Sequence, residues 1–198
     1  IDFYQTDDDY YLVMEDGGSS VFQFITRVHK FIASGSIQIS DWHKMVKIIF
    51  KQMIKCIEYL HSMNISHFDI SLENFVMNEI DIKIKNGHIS FIYGDMKRPI
   101  KIKLCDFGLA QIFNINNDER NYSNDSCSYQ PFISSKYVGK PNYMSPEIVN
   151  RKTTFDAKKN DIFSLGVCLF LMIVGGGPFN KADIKNDPCF KFIINGQI

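Results

Sequence analysis

The chain has 198 residues, 45% of them hydrophobic, with 22 basic and 22 acidic side chains. That length suits one globular unit or part of a larger one, and balanced charge provides no global field toward nucleic acid or a membrane. The five cysteines, Cys56, Cys105, Cys127, Cys168 and Cys189, form no C-x-x-C pair and no zinc-ligand spacing; they read as reduced thiols of an intracellular protein, with the cytoplasm as default location. The longest apolar run, Leu165 to Val174, is far below the ~20 residues a membrane span needs.

In chain order, Tyr10 to Met14 is an aromatic and β-branched run that predicts a buried strand. Glu15 to Ser20, with two glycines and two serines, predicts a flexible turn in which Ser19 or Ser20 caps the next helix. Phe22, Ile25, Val28 and Ile32 mark that helix, and Gly35 ends it. Ser40 before Asp41-Trp42-His43 predicts a second N-cap, and Met45, Ile48, Ile49, Met53, Cys56, Ile57 and Leu60 mark one face of a long helix to about His61. Its lysines, Lys44, Lys47, Lys51 and Lys55, lie elsewhere and read as a solvated face.

Phe75-Val76-Met77 predicts a short strand. Ile80, Ile82 and Ile84 alternate before Asn86-Gly87, and Ile89 and Phe91 follow; Asn-Gly between alternating runs predicts a hairpin. Ile100, Ile102 and Leu104 alternate again and lead into Cys105-Asp106-Phe107-Gly108. The segment from Asn114 to Ser135, rich in Asn and Ser, reads as a long mobile loop, and Thr153 to Asn160 as a polar connection. Asp161 to Val174 reads as the most apolar helix, stopped by Gly175-Gly176-Gly177-Pro178, and Phe190 to Ile194 as a last short helical piece.

The chemistry is concentrated in His67-Phe68-Asp69-Ile70-Ser71-Leu72-Glu73-Asn74 and in Asp106-Phe107-Gly108. An aspartate and an asparagine five positions apart let one loop aim Asp69 at a hydroxyl and Asn74 at a cation, while Asp106 adds a carboxylate. Taken singly, each signal is weak: Asp-Phe-Gly is an ordinary turn, and a lone aspartate is an ordinary cap or ion-pair partner.

The joint order carries more. An apolar strand, a Gly-rich turn and a long helix precede H-x-D-x-x-x-x-N, then D-F-G, then Gly139-Lys140-Pro141-Asn142-Tyr143-Met144-Ser145-Pro146-Glu147 and Asp161-Ile162-Phe163-Ser164-Leu165-Gly166. This order resembles the eukaryotic protein kinase family over nearly the whole chain, with H-R-D-x-x-x-x-N and D-F-G as the catalytic and metal-binding loops. The resemblance implies an α+β, protein-kinase-like fold: a mostly helical C-lobe with short β-hairpins, and an N-lobe largely absent. Residues 1–14 would be the last strand of the N-lobe, 15–19 the hinge and 20–198 the C-lobe, incomplete at the C-terminus.

The implied activity is ATP-dependent phosphoryl transfer to Ser/Thr hydroxyls of protein substrates, with ATP and Mg²⁺ as cofactors and no nucleic-acid or membrane partner. Asp69 would orient the attacking hydroxyl, and Asn74 and Asp106 would hold metal. Met14 would be the gatekeeper. The backbone of Glu15 to Gly17 would bond adenine, Ser20 would face the ribose, and Val76, with Cys168 and Met172, would form the apolar spine beside it. Gly139 to Glu147 would dock substrate, Tyr143 there favours Ser/Thr specificity, and Asp161 would brace the catalytic loop.

Three departures qualify the resemblance. The Gly-rich phosphate loop, strand lysine and helix glutamate of the family do not occur in the sequence, and we expect truncation rather than loss. Phe68 replaces the arginine that normally receives an activation-loop phosphate, so Ser134, Ser135 and Tyr137 are weak regulatory candidates. Ser71 stands where Ser/Thr kinases have lysine, and Lys140 stands where they have threonine; the family places these two positions close together, so Lys140 is a catalytic candidate that restores the missing charge. A pseudokinase acting as a binding or scaffold domain is the rival reading, and a small-molecule kinase is disfavoured by the docking segment.

Overall fold

The structure is a computed structural model and describes residues 2–78, 80–85, 88–93, 100–113 and 132–196. It opens with an antiparallel pair, β1 (Asp2–Gln5) and β2 (Tyr10–Val13), in which Asp2 faces Val13 and Gln5 faces Tyr10. Thr6 and Asp9 close the turn: Thr6 N donates to Asp9 O, and Asp9 N to Thr6 Oγ1. The expected buried strand is therefore one half of a hairpin, and every residue of it is exposed. The residue types were right for a strand, but burial needs a second layer, and none of the described elements covers this pair.

Next come β3 (Ser19–Ser20) and helix α1 (Val21–Ala33). Ser20 Oγ accepts from Gln23 N, and Gln23 Oε1 accepts from Ser20 N, a complete capping box. Val21, Phe24, Ile25 and Val28 face the core, whereas Phe22 is exposed. Gly35, at φ +72°, follows the C-cap.

Helix α2 (Ile39–Ser62) starts one residue before the proposed Ser40 cap. Gln38 is the N-cap and makes no side-chain cap bond; its carbonyl accepts from the backbones of Asp41 and Trp42. Ile37 and Trp42, both buried, occupy the positions of a hydrophobic staple, which sets the entry angle without a capping hydroxyl. The buried face is Trp42, Met45, Val46, Ile49, Met53, Ile57 and Leu60; Ile48, assigned to it from spacing, is exposed.

Short strands follow: β4 (Ile65–Ser66), β5 (Phe75–Met77), β6 (Ile80–Lys85), β7 (His88–Tyr93), β8 (Ile102–Leu104) and β9 (Gln111–Ile112). Strand β5 is the centre of a three-stranded sheet, with Ser20 of β3 opposite Val76 on one side and Lys103 of β8 opposite it on the other. β6 and β7 pair antiparallel with Lys85 opposite His88, the register a two-residue hairpin turn requires; Asn86 and Gly87 themselves lie outside the described residues. β4 pairs with β9.

Of the loop expected from Asn114 to Ser135, residues 114–131 lie outside the described residues. The remainder includes β10 (Ile133–Ser134), and after α3 (Pro146–Val149) comes β11 (Phe155–Asp156), antiparallel to β10. Helix α4 (Ala157–Val174) then starts four residues earlier than expected, inside the stretch read as a polar connection. Asp156 caps it by accepting from Lys158 N, and Asn160, although polar, is buried and hydrogen-bonded. Gly175, at φ +81°, terminates α4, and α5 (Pro188–Ile194) closes the described chain.

The core lies where α2 packs on α4, with α1 beside them. Trp42 Nε1 and His29 Nε2 both reach the Met172 carbonyl, at 2.7 and 3.0 Å, so α1 and α2 are tied to one point on α4. Among the described residues no helix is long and apolar enough to cross a membrane.

Candidate active site

The loop 67–74 is held by one buried carboxylate. Asp161, fully buried in α4, accepts at Oδ1 from Phe68 N and at Oδ2 from His67 N, each at 3.0 Å. Ser66 Oγ donates to the same Oδ2 at 2.7 Å, and His61 Nε2 lies 3.0 Å from it. A buried carboxylate is costly unless its lone pairs are used; here four groups from the end of α2, β4 and the loop use them. Phe68 adopts φ +66°, an uncommon backbone for a bulky residue that such bracing can hold. Its ring is buried, edge-on to Phe155, with Lys136 Nζ over it. That position is an apolar anchor.

His67 is buried between two loops. Its Nε2 bonds the Cys105 carbonyl at 3.1 Å, and its Nδ1 accepts from Asp69 N at 3.3 Å. The pattern fits a neutral imidazole protonated on Nε2, and burial pushes the His67 pKa below the usual histidine value. Cys105 N and Sγ both donate to the Asn74 carbonyl, so the residue before Asp106 is pinned to Asn74.

Three proposed residues converge on one atom. Asp69 Oδ2 accepts from Asn74 Nδ2 at 2.9 Å and from Lys140 Nζ at 2.8 Å, and Asn74 Nδ2 also bonds the Asp69 carbonyl at 2.8 Å. Lys140 Nζ further reaches Ser71 Oγ at 3.0 Å. Both Asn74 bonds use its amide nitrogen, which leaves its carbonyl oxygen as the end available to a cation. Asp106, at φ +64°, is exposed, and Gly108 N lies 3.4 Å from its Oδ1. Among the described residues no cluster of three or more His, Cys, Asp or Glu could hold a metal. One carboxylate and one amide oxygen nevertheless suit Mg²⁺, which keeps several waters and takes the rest of its shell from phosphates.

The nucleotide-binding candidates gather round β5. A Cβ on Gly17 would lie 2.5 Å from Val76 Cγ2, so glycine lets the backbone touch that strand. Gly18, at φ +78°, donates its N–H to Asp16 Oδ1 at 2.8 Å. Glu15 pairs with Lys103, opposite Val76, and that hydrogen bond and charge lower the Glu15 pKa. Met14 is exposed. Ser20 sits opposite Val76, and its oxygen accepts the α1 capping bond from Gln23 N. Cys168 and Met172 are fully buried in α4.

The contact between Tyr143 OH and Glu73 Oε2, 3.3 Å, escaped the sequence reading. The residues are 70 apart, and no local pattern joins them. Burial, with Cys168 and Glu73 nearby, pushes the Tyr143 phenol pKa up.

The protein kinase domain family model matches residues 1–194. Serine/threonine-protein kinase SAPK1 of Oryza sativa subsp. japonica is 32% identical over 137 residues, 69% of this chain and 30% of that protein. Serine/threonine-protein kinase SRK2H of Arabidopsis thaliana is 31% identical over 137 residues, 69% of this chain and 29% of that protein. The stk11 homolog of Dictyostelium discoideum, a serine/threonine-protein kinase, is 30% identical over 139 residues, 70% of this chain and 18% of that protein. The chain thus aligns with less than a third of the length of each of these relatives. With the braced loop, the Asp69–Asn74 pair and Cys105 pinned beside Asp106, the chain belongs to the protein kinase domain family.

Proposed function

We propose that the protein transfers the γ-phosphoryl group of ATP to Ser/Thr hydroxyls of protein substrates. The observation that carries this reading is the pair of side chains fixed on Asp69 Oδ2, which leaves Oδ1 to accept a substrate hydroxyl. Asp69 orients that hydroxyl and takes its proton. Asn74 holds the carboxylate by its nitrogen and offers its oxygen to Mg²⁺, and Asp106 offers a charged oxygen from the adjoining loop. Bound Mg²⁺ neutralises phosphate charge. The backbone of Glu15 to Gly17 bonds adenine on the Val76 side, Met14 guards the entrance, and the Ser20 proton faces the ribose. Residues 1–14, which hold the β1–β2 hairpin, act as the end of the small lobe, 15–19 as hinge and the remainder as large lobe.

The test is labelled-phosphate transfer from Mg-ATP by the whole protein. Asp69→Asn should lower kcat by about 10²-fold or more, and Asp106→Asn should lower kcat and abolish the Mg²⁺ dependence of nucleotide binding measured by calorimetry. Nucleotide binding with no transfer would overturn the enzyme reading in favour of a scaffold.

A further inference from the structure

Lys140 is not an ordinary surface lysine. Fixing a lysine costs up to ~2 kcal/mol of rotamer entropy, yet its ammonium is fixed on two partners 71 and 69 residues away, Asp69 Oδ2 and Ser71 Oγ. Ser71 is fully buried, and its hydroxyl has the ammonium as its partner. Among the described residues two of the three N–H donors are used, on a side chain 37% exposed beside an Asp69 that is 12% exposed.

The segment bearing Lys140 is clamped to the loop and to α4. At Gly139, φ +116°, a Cβ would lie 2.7 Å from the Phe68 carbonyl, so only glycine lets the two backbones approach this closely. Tyr143 N and Met144 N bond the Lys140 carbonyl, Ser164 Oγ donates to the Tyr143 carbonyl at 2.7 Å, and Ser145 N donates to Asn160 Oδ1.

We infer that the segment from Gly139 to Glu147 supplies the cation of the reacting centre through Lys140, with Ser71 as its cradle, so that seating this segment on the loop completes the centre. The inference rests on the kinase reading above. As Asp69 takes the hydroxyl proton, the hydroxyl oxygen forms one bond to the γ-phosphorus, the bond to the departing ADP oxygen breaks, and the electron pair leaves with ADP. An ammonium fixed on Asp69 is preorganised for the charge on the passing phosphoryl oxygens and needs no reorganisation at that moment.

The experiment uses the whole protein, with kcat and KM measured separately. Lys140→Thr should lower kcat by about tenfold or more with KM for ATP and peptide little changed. Moving the charge into the loop, Ser71→Lys with Lys140→Thr, should restore much of that loss. Gly139→Ala should cost more kcat in the parent than in the charge-moved protein, because only the parent carries its cation on this segment. A loss under about twofold for Lys140→Thr in an active enzyme overturns this inference alone; an inactive parent overturns the kinase reading with it. If the double variant does not fold by circular dichroism, Ser71→Ala decides: a selective fall in kcat supports the cradle, and an unchanged kcat overturns it.

Discussion

At the scale of single residues, the site depends on groups kept in one protonation state. His67 is neutral because burial disfavours its charged form. Its folded pKa lies below the unfolded value, so the unfolded chain binds the extra proton first. Stability therefore falls as pH drops below the ordinary histidine value of about 6.5 and levels off below the folded pKa. Protonation also removes the Nδ1 lone pair that Asp69 N uses. Urea midpoints measured from pH 7.5 to 5 should decline, and His67→Asn should flatten that slope. The opposite case is Ser145, whose buried hydroxyl has no hydrogen-bond partner among the described residues. An unmatched buried hydroxyl costs ~1–3 kcal/mol, so Ser145→Ala should leave stability unchanged or raise it by up to ~1 kcal/mol, read as the shift in urea midpoint at constant slope.

At the scale of elements, caps and pairings were legible where a local rule has a local cause. A cap at Ser19 or Ser20 was read from their place before an amphipathic run, and the structure assigns it to Ser20, with a reciprocal bond to Gln23. Ser20→Ala should cost ~1 kcal/mol, measured by thermal unfolding, with Ser20→Gly or Ser20→Asp costing less. The β6–β7 hairpin was legible for the same reason: alternation and Asn-Gly act within a few residues. Errors arose where a distant contact decides. The start of α2 is set by the buried Ile37 and Trp42 rather than by Ser40. The start of α4 is set by Asp156, which also accepts from Phe132 N just before β10. The burial of Tyr10 to Val13 could not be read from their apolar character, because that character does not supply a covering layer.

At the scale of the molecule, the site is assembled from segments far apart in sequence: loop 67–74, Asp106, and the segment carrying Lys140. Their residue types were legible through the family resemblance, and the Lys140–Ser71 proximity followed from it. The Tyr143–Glu73 contact and the double use of the Met172 carbonyl were not, because side-chain geometry decides them. The 198 residues include Asp69, Asn74 and Asp106, the groups proposed to orient the hydroxyl and hold metal, whereas a Gly-rich phosphate loop and its paired strand lysine do not occur in the sequence. As an isolated segment they should turn over far below the ~1–100 s⁻¹ of kinases, by labelled-phosphate transfer at saturating Mg-ATP; a normal rate would show that the phosphate-cradling parts are dispensable.

The Asp161 knot also bears on the order in which the molecule can form. The loop's two backbone N–H groups, together with Ser66 and His61, depend on a carboxylate 93 to 100 residues downstream. Closing so long a loop is entropically slow and comes after local helices have formed. On a ribosome, the loop cannot lock before residue 161 has emerged and its helix has folded. The loop 67–74 therefore becomes rigid only after α4 has formed, later than the helices and hairpins built from local contacts.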